Sequence, residues 1–117
     1  MTSRHPLEGQ IVLLAGAQAS VTLEQLSRLL ADVHGYLCRY REYYDRQFER
    51  IEGEETVYYL AGPDHWDRVA AALHLADREI DAVRRAHEAQ FTRDGRRLGR
   101  TEEFEAALSI RSPVAFE

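Results

Sequence analysis

A single seam of apolar side chains restricts the folds open to this sequence more than any other feature. Leu23, Leu26, Leu30, Val33, Leu37, Tyr40, Tyr44 and Ile51 recur mostly at steps of three and four residues, the spacing of one helix face. Only the position at Gln47 interrupts the seam, and Phe48 sits beside it. Thr22 is a good N-cap, and Gln25 three residues later completes a capping-box pattern. The pattern predicts continuous helix from Thr22 to about Ile51, roughly 45 Å long at the α-helical rise. Gly35 is its expected weak point or kink. Arg41 with Asp45 and Glu42 with Arg46 are four apart and would support the exposed face.

The rest of the chain reads as shorter elements. Leu7 to Ala19 is a short helix weakened by Gly9 and Gly16. Glu52 to Glu55 is a charged turn, and Thr56 to Leu60 is a strand rich in β-branched and aromatic residues. Pro63 suits the opening of a helix from Asp64 to Leu73. His74 to Ala76 forms a tight turn, and Asp77 starts a helix to about Thr92, with Ile80, Val83, His87 and Phe91 on one side. Arg93 to Arg100 is then a basic, Gly-containing loop, and Thr101 caps a last helix. Ser109 to Phe116 is a strand that Pro113 confines to an edge, pairing with 56 to 60. The expected fold is mainly α: one domain over residues 1–117, a small helical bundle with one long helix and a minor two-stranded β element.

Composition narrows the function classes. A net charge of −5 does not suit a nucleic-acid backbone over the whole surface. Charge is uneven, however: Arg84 to Arg100 holds six arginines against Glu88 and Asp94, a net +4. Lysine is absent, so every basic residue is arginine, which forks onto carboxylate or phosphate. Cys38 is the only cysteine and can form no intramolecular disulfide, which fits a reducing, cytoplasmic interior. No apolar run approaches the roughly 20 residues needed to span a bilayer. Arg4 followed by the apolar run Ile11 to Ala17 is faintly like a signal peptide, but seven residues is the short limit and Glu8 precedes it.

Residues 68–83 carry the most specific local pattern. Val69, Ala70, Leu73, Leu75, Ile80 and Val83 have the spacing of two helices packed across a short turn. The segment resembles the DNA-binding helix-turn-helix, which implies a DNA-associated regulator using the helix pair at 64–92. It departs from that motif at His74, where glycine is common. It departs again at Asp77 and Asp81, which would repel phosphate from the reading face. The longer stretch from His65 to Glu88, through Trp66, Leu75, Ile80 and Val83, also resembles a death-fold helix pair, which implies assembly and no chemistry. Arg96 to Phe116, with Tyr58–Tyr59 and His65–Trp66, is similar to small haloarchaeal proteins of unassigned function; that likeness supplies lineage and no activity.

Several constellations compete as sites. All six tyrosines fall between Tyr36 and Tyr59. Tyr36, Arg39, Tyr43 and Arg46 are the candidate interface, because Tyr and Arg concentrate at binding hot spots; the alternative is a core edge whose hydroxyls reach water. Arg84, Arg85, Arg93, Arg96, Arg97 and Arg100 are candidates for an acidic partner or a phosphate, against ion pairs with nearby glutamates such as Glu102, Glu103 and Glu105. His34 and Cys38 are four apart and could face one metal, but zinc needs further ligands. His65 between Asp64 and Asp67 is the best acid–base candidate, though such carboxylates also suit a helix N-terminus. No serine has a nucleophile-elbow context, and no glycine-rich phosphate loop follows a strand. No catalytic, cofactor-binding or metal residue is therefore assigned. The sequence points to a non-catalytic regulatory or protein-interaction module, binding a protein partner or itself as a homodimer. A DNA-associated regulator is second and disfavoured, and a small enzyme of unknown substrate is third; no membrane is expected.

Overall fold

The computed structural model describes residues 5–117. Its elements are α1 (Gly9–Gln18), α2 (Leu23–Arg39), α3 (Arg41–Gln47), β1 (Glu49–Glu52), β2 (Val57–Ala61), α4 (His65–Leu73), α5 (Asp77–Arg97), α6 (Thr101–Leu108) and β3 (Ser112–Phe116). The strands form one antiparallel sheet in the order β1–β2–β3, with Ile51 opposite Tyr58 and Tyr58 opposite Ala115. β2 is central and buried from Tyr58 to Ala61, so it lacks the alternation of a half-exposed strand. Tyr58 packs edge-on to Phe91 of α5 at 5.0 Å and donates its hydroxyl proton to Asp94 Oδ2 at 2.6 Å. Tyr59 points to the other face, where its ring meets Tyr44 at 6.2 Å and its hydroxyl donates to Asp45 Oδ1 at 2.9 Å.

α5 is the central helix, with α1, α2, α4, α6 and β3 packed against it. Its inner face holds Ile80, Val83, Ala86, His87, Gln90, Phe91, Asp94 and Gly95. Phe104 of α6 stacks on Phe91 at 4.4 Å and crowds Gly95, where a Cβ would lie 2.8 Å from the Phe104 side chain. Glycine lets α6 approach α5 that closely.

The expected mainly helical class holds, as do the edge strand at Pro113 and its pairing with β2. Three expectations are corrected. The helix read from Thr22 to Ile51 starts correctly, with Thr22 Oγ1 accepting from the Gln25 amide at 3.1 Å. It ends at Arg39, because Tyr40 takes φ −111°, ψ 18° and the chain turns into α3. A straight helix of about 45 Å would overrun a molecule whose longest extent is 31 Å. The break is at Tyr40 and not at Gly35, which lies inside α2 in open space. Arg41 is not paired with Asp45 as read; it donates to the Glu117 carbonyl at 3.1 Å.

The minor β element has three strands and not two. Phe48 is extended, and the residues read as the helix end form β1, with Ile51 buried and Glu49, Arg50 and Glu52 exposed. Finally, Arg93–Arg97 is not loop: α5 continues to Arg97. It stops at Gly99, whose φ of 68° lets the Arg100 amide reach the Gly95 carbonyl at 2.8 Å and the Gly99 amide reach Arg96 at 3.1 Å. That is a Schellman closure, which glycine favours just past a helix end.

The helix pair read at 68–83 is present as α4 and α5, joined by residues 74–76. Val69, Ile80 and Val83 are buried and Leu73 and Leu75 pack against the core. His74 adopts φ 56°, ψ 47°, the left-handed conformation that glycine supplies in many such turns. A Cβ there costs about 1 kcal/mol. His74→Gly should therefore stabilise the fold by about 0.5–1 kcal/mol, read as a higher urea midpoint. His74→Ala, which keeps the Cβ, should give no comparable gain.

Candidate functional site

The elbow between α2 and α3 builds a cleft of about 540 Å³. Tyr36 and Tyr40 come from the end of α2, Tyr43, Tyr44 and Gln47 from α3, and Phe48 follows. The opposite wall is Gly62 and Asp64 ahead of α4, with His65, Arg68 and Val69 on its first turns. Both walls are fixed by the core: Leu37, Tyr44 and Val69 are buried. Tyr44 also packs on Phe116 of β3 at 5.3 Å and on Phe48 at 5.5 Å. Tyr36 and Tyr40 lie 5.1 Å apart, and Tyr43 stands edge-on to Phe48 at 6.0 Å. Tyr40 and Tyr43 remain 48% and 43% exposed, so nearly half of each large apolar ring faces solvent.

A polar pair lies at the base. The Tyr44 hydroxyl and His65 Nε2 are 2.6 Å apart, and both residues are buried. Burial pushes the Tyr44 phenol up. Burial, helped by the Arg68 charge, lowers His65 from 6.5 to about 4, so the ring is neutral at pH 7. His65 Nδ1 and the neighbouring Trp66 Nε1 are buried with no hydrogen-bond partner among the described residues. A buried polar group left without any partner costs about 1–3 kcal/mol. Asp64 Oδ2 holds the Arg68 guanidinium at 2.8 Å. The acid–base trio read at Asp64, His65 and Asp67 is therefore not assembled: Asp64 serves Arg68, Asp67 is exposed, and His65 meets a tyrosine.

Tyr36 and Tyr43 of the candidate interface line this cleft, while Arg39 and Arg46 line a second groove beside it. The guanidinium of Arg39 lies 5.6 Å from the Tyr36 ring centre. The arginines proposed for a phosphate or acidic partner are spread along α5 and, for Arg100, just beyond it, and are largely occupied. Arg84 pairs with Asp81 and with Glu88 at 3.0 Å, and Arg85 with Asp81 at 2.8 Å. Arg93 and Arg97 hold Glu8 at 3.4 and 2.7 Å. Arg100 bonds Glu103 at 2.9 Å and lies over the Phe104 ring, and Arg96 is exposed. Gln90, itself buried, donates to Glu8 at 2.6 Å and accepts the Glu8 amide at 2.9 Å. The Arg97 and Gln90 hydrogen bonds hold the Glu8 carboxyl down at about 2. This cluster clasps the segment before α1 onto α5.

His34 Nε2 lies 3.5 Å from Cys38 Sγ, but among the described residues no three His, Cys, Asp or Glu side chains gather in a metal-binding arrangement. No helix of the described residues is long and apolar enough to cross a membrane. Sequence reading missed three buried polar links: Tyr58 to Asp94, Gln90 to Glu8, and His87, whose Nδ1 accepts the Ala115 amide at 2.9 Å.

A family model described as a domain of unknown function, DUF8048, matches residues 5–117. The chain belongs to that family. The match spans the cleft, the α5 clasp and the sheet together, so all of them are parts of one family domain. No curated protein and no solved structure matches the chain.

Two buried histidines contribute to the response to acid. His87 is lowered from 6.5 to about 3 by burial, reinforced by the other histidines, and a proton on Nδ1 would break its bond from Ala115. With folded values of about 4 for His65 and about 3 for His87, the unfolded chain takes up protons first as pH drops below 6.5. The stability these neutral rings supply is complete above about 6.5 and is lost toward the folded values. The expected slope is about 1.4 kcal/mol per pH unit for each histidine. Urea midpoints measured between pH 7.5 and 4.5 should fall accordingly, and His65→Phe should flatten the slope by about one proton.

Proposed function

We propose that the protein is a non-catalytic interaction module whose tyrosine cleft receives an apolar or aromatic side chain of a protein partner. One observation carries this reading: four tyrosines and Phe48 line a single cleft of about 540 Å³ while Tyr40 and Tyr43 keep nearly half their surface in water. A volume of that order accommodates a compact ligand, and apolar walls with a few convergent polar groups are the usual character of a binding site. Tyrosine suits such a site because a large rigid ring is held by two rotatable bonds and its hydroxyl remains available. Tyr44 and His65 have shifted proton affinities in the same cleft, which is the pattern of functional sites. A neutral histidine held by a phenol, with Asp64 engaged elsewhere, favours binding over acid–base chemistry.

The apolar seam no longer motivates a dimer, because Leu26, Leu30, Val33, Leu37, Tyr44 and Ile51 are spent inside the monomer. Self-association rests instead on Leu13 and Leu14 of the uncharged helix α1, exposed by 57% and 56%. A sedimentation series across concentration reads that out directly. DNA association loses support from the pairing of Arg84 and Arg85 with Asp81.

The cleft can be tested with indole and p-cresol as probes, followed by backbone NMR shifts. Shifts should concentrate at residues 36–48 and 62–69, and Tyr43→Ala should weaken binding several-fold. Shifts elsewhere, or indifference to Tyr43→Ala, would sink the proposal.

A further inference from the structure

We infer that the partner segment is acidic, with carboxylates flanking the aromatic or apolar anchor; this rests on the cleft reading above. The cleft is continuous with a second groove of about 420 Å³ lined by Cys38, Arg39, Arg41, Glu42 and Arg46. Tyr40 and Tyr43 line both. A side chain seated against these two rings therefore has its chain neighbours over three guanidiniums and one carboxylate. This local excess of positive charge sits on a chain of net charge −5. Guanidiniums select carboxylates through forked, charge-assisted bonds.

Two of the three arginines are already oriented. Arg39 lies over Tyr36 at 5.6 Å, and Arg41 lies 5.0 Å from the Phe116 ring centre while donating to the Glu117 carbonyl. A guanidinium held beside an aromatic ring keeps its N–H donors available to an oxygen acceptor. Arg46, exposed on the last turn of α3, completes the row. The occupant this complementarity selects is a short acidic peptide segment with one large apolar or aromatic residue. Single-stranded nucleic acid also combines rings with negative charge, but it requires a basic track along several nucleotides. Here the groove carries three arginines and includes Glu42.

The test is a display selection of random 12-residue peptides on three full-length baits: the wild type, Tyr36→Ala/Tyr43→Ala and Arg39→Gln/Arg46→Gln. Both double variants are checked for folding by circular dichroism and thermal unfolding. The wild type should enrich a Trp, Phe, Tyr or Leu anchor within three residues of two or more Asp or Glu. The arginine variant should keep the anchor preference and lose the acidic one, with selected peptides binding about tenfold more weakly. Wild-type affinity for those peptides should fall as salt rises. Enrichment of anchors with uncharged flanks would overturn the acidic inference and leave the cleft reading standing. Enrichment unaffected by Tyr36→Ala/Tyr43→Ala would overturn the cleft reading itself. Displacement of the peptides by a ten-nucleotide single strand at lower concentration would assign the surface to nucleic acid instead.

Discussion

Tyr58 and Tyr59 are consecutive in β2, so the pleat sends their rings to opposite faces of the sheet. Both are almost wholly buried, and each hydroxyl needs a partner once removed from water. α5 supplies Asp94 on one face and α3 supplies Asp45 on the other. A central strand covered on both sides requires helices on both sides, and a chain of 117 residues has one long helix to spare for each role. α5 takes one face whole. The other face is met by α3 and its neighbours, which forces the seam helix to turn at Tyr40. The elbow that follows from covering Tyr59 is the elbow that opens the aromatic cleft.

Much of the fold was legible because it is local. Thr22 with Gln25, Pro63 before α4, and Pro113 in an edge strand each act through their own backbone, and each stands where the pattern placed it. Six members of the seam, Leu26, Leu30, Val33, Leu37, Tyr44 and Ile51, are core as read, whereas Leu23 and Tyr40 are exposed. What failed was continuity. Steps of three and four residues run on across Tyr40 because α3 resumes the same inward face after the turn, and Ile51 is buried from a strand. Period alone does not separate one helix from two in series. The end of α5 was misread for the opposite reason. Gly95 and Gly99 suggested a loop, whereas the first admits Phe104 and the second closes the helix. The inward face of Val83, His87 and Phe91 continues one turn further to Asp94, where a carboxylate disguised it as surface.

Part of the candidate site was readable too. The clustering of tyrosines with Arg39 and Arg46 is visible in one helical stretch, and the structure gathers Tyr36 and Tyr43 into one cleft with the two arginines beside it. The far wall was not readable, because Asp64, His65 and Arg68 reach the tyrosines only through the sheet. The arginines of α5 show the same limit in reverse. Glu8 lies more than eighty residues from the groups that hold it, so its ion pairs leave no trace in local charge pattern. A cluster that reads as a basic docking patch is in large part an internal fastening.

The bond from the Ala115 amide to His87 has a bearing on how molecules of this protein can meet. An outer strand with unsatisfied amides is a template on which another chain can lay its own backbone. Here a buried imidazole fills that role on the β3 side, and α5 packs alongside it. The opposite margin presents Glu49, Arg50 and Glu52, whose charges and bulk resist a neighbouring ribbon. Extension of the sheet from one molecule into the next is thereby discouraged on both flanks, and recognition is left to side chains.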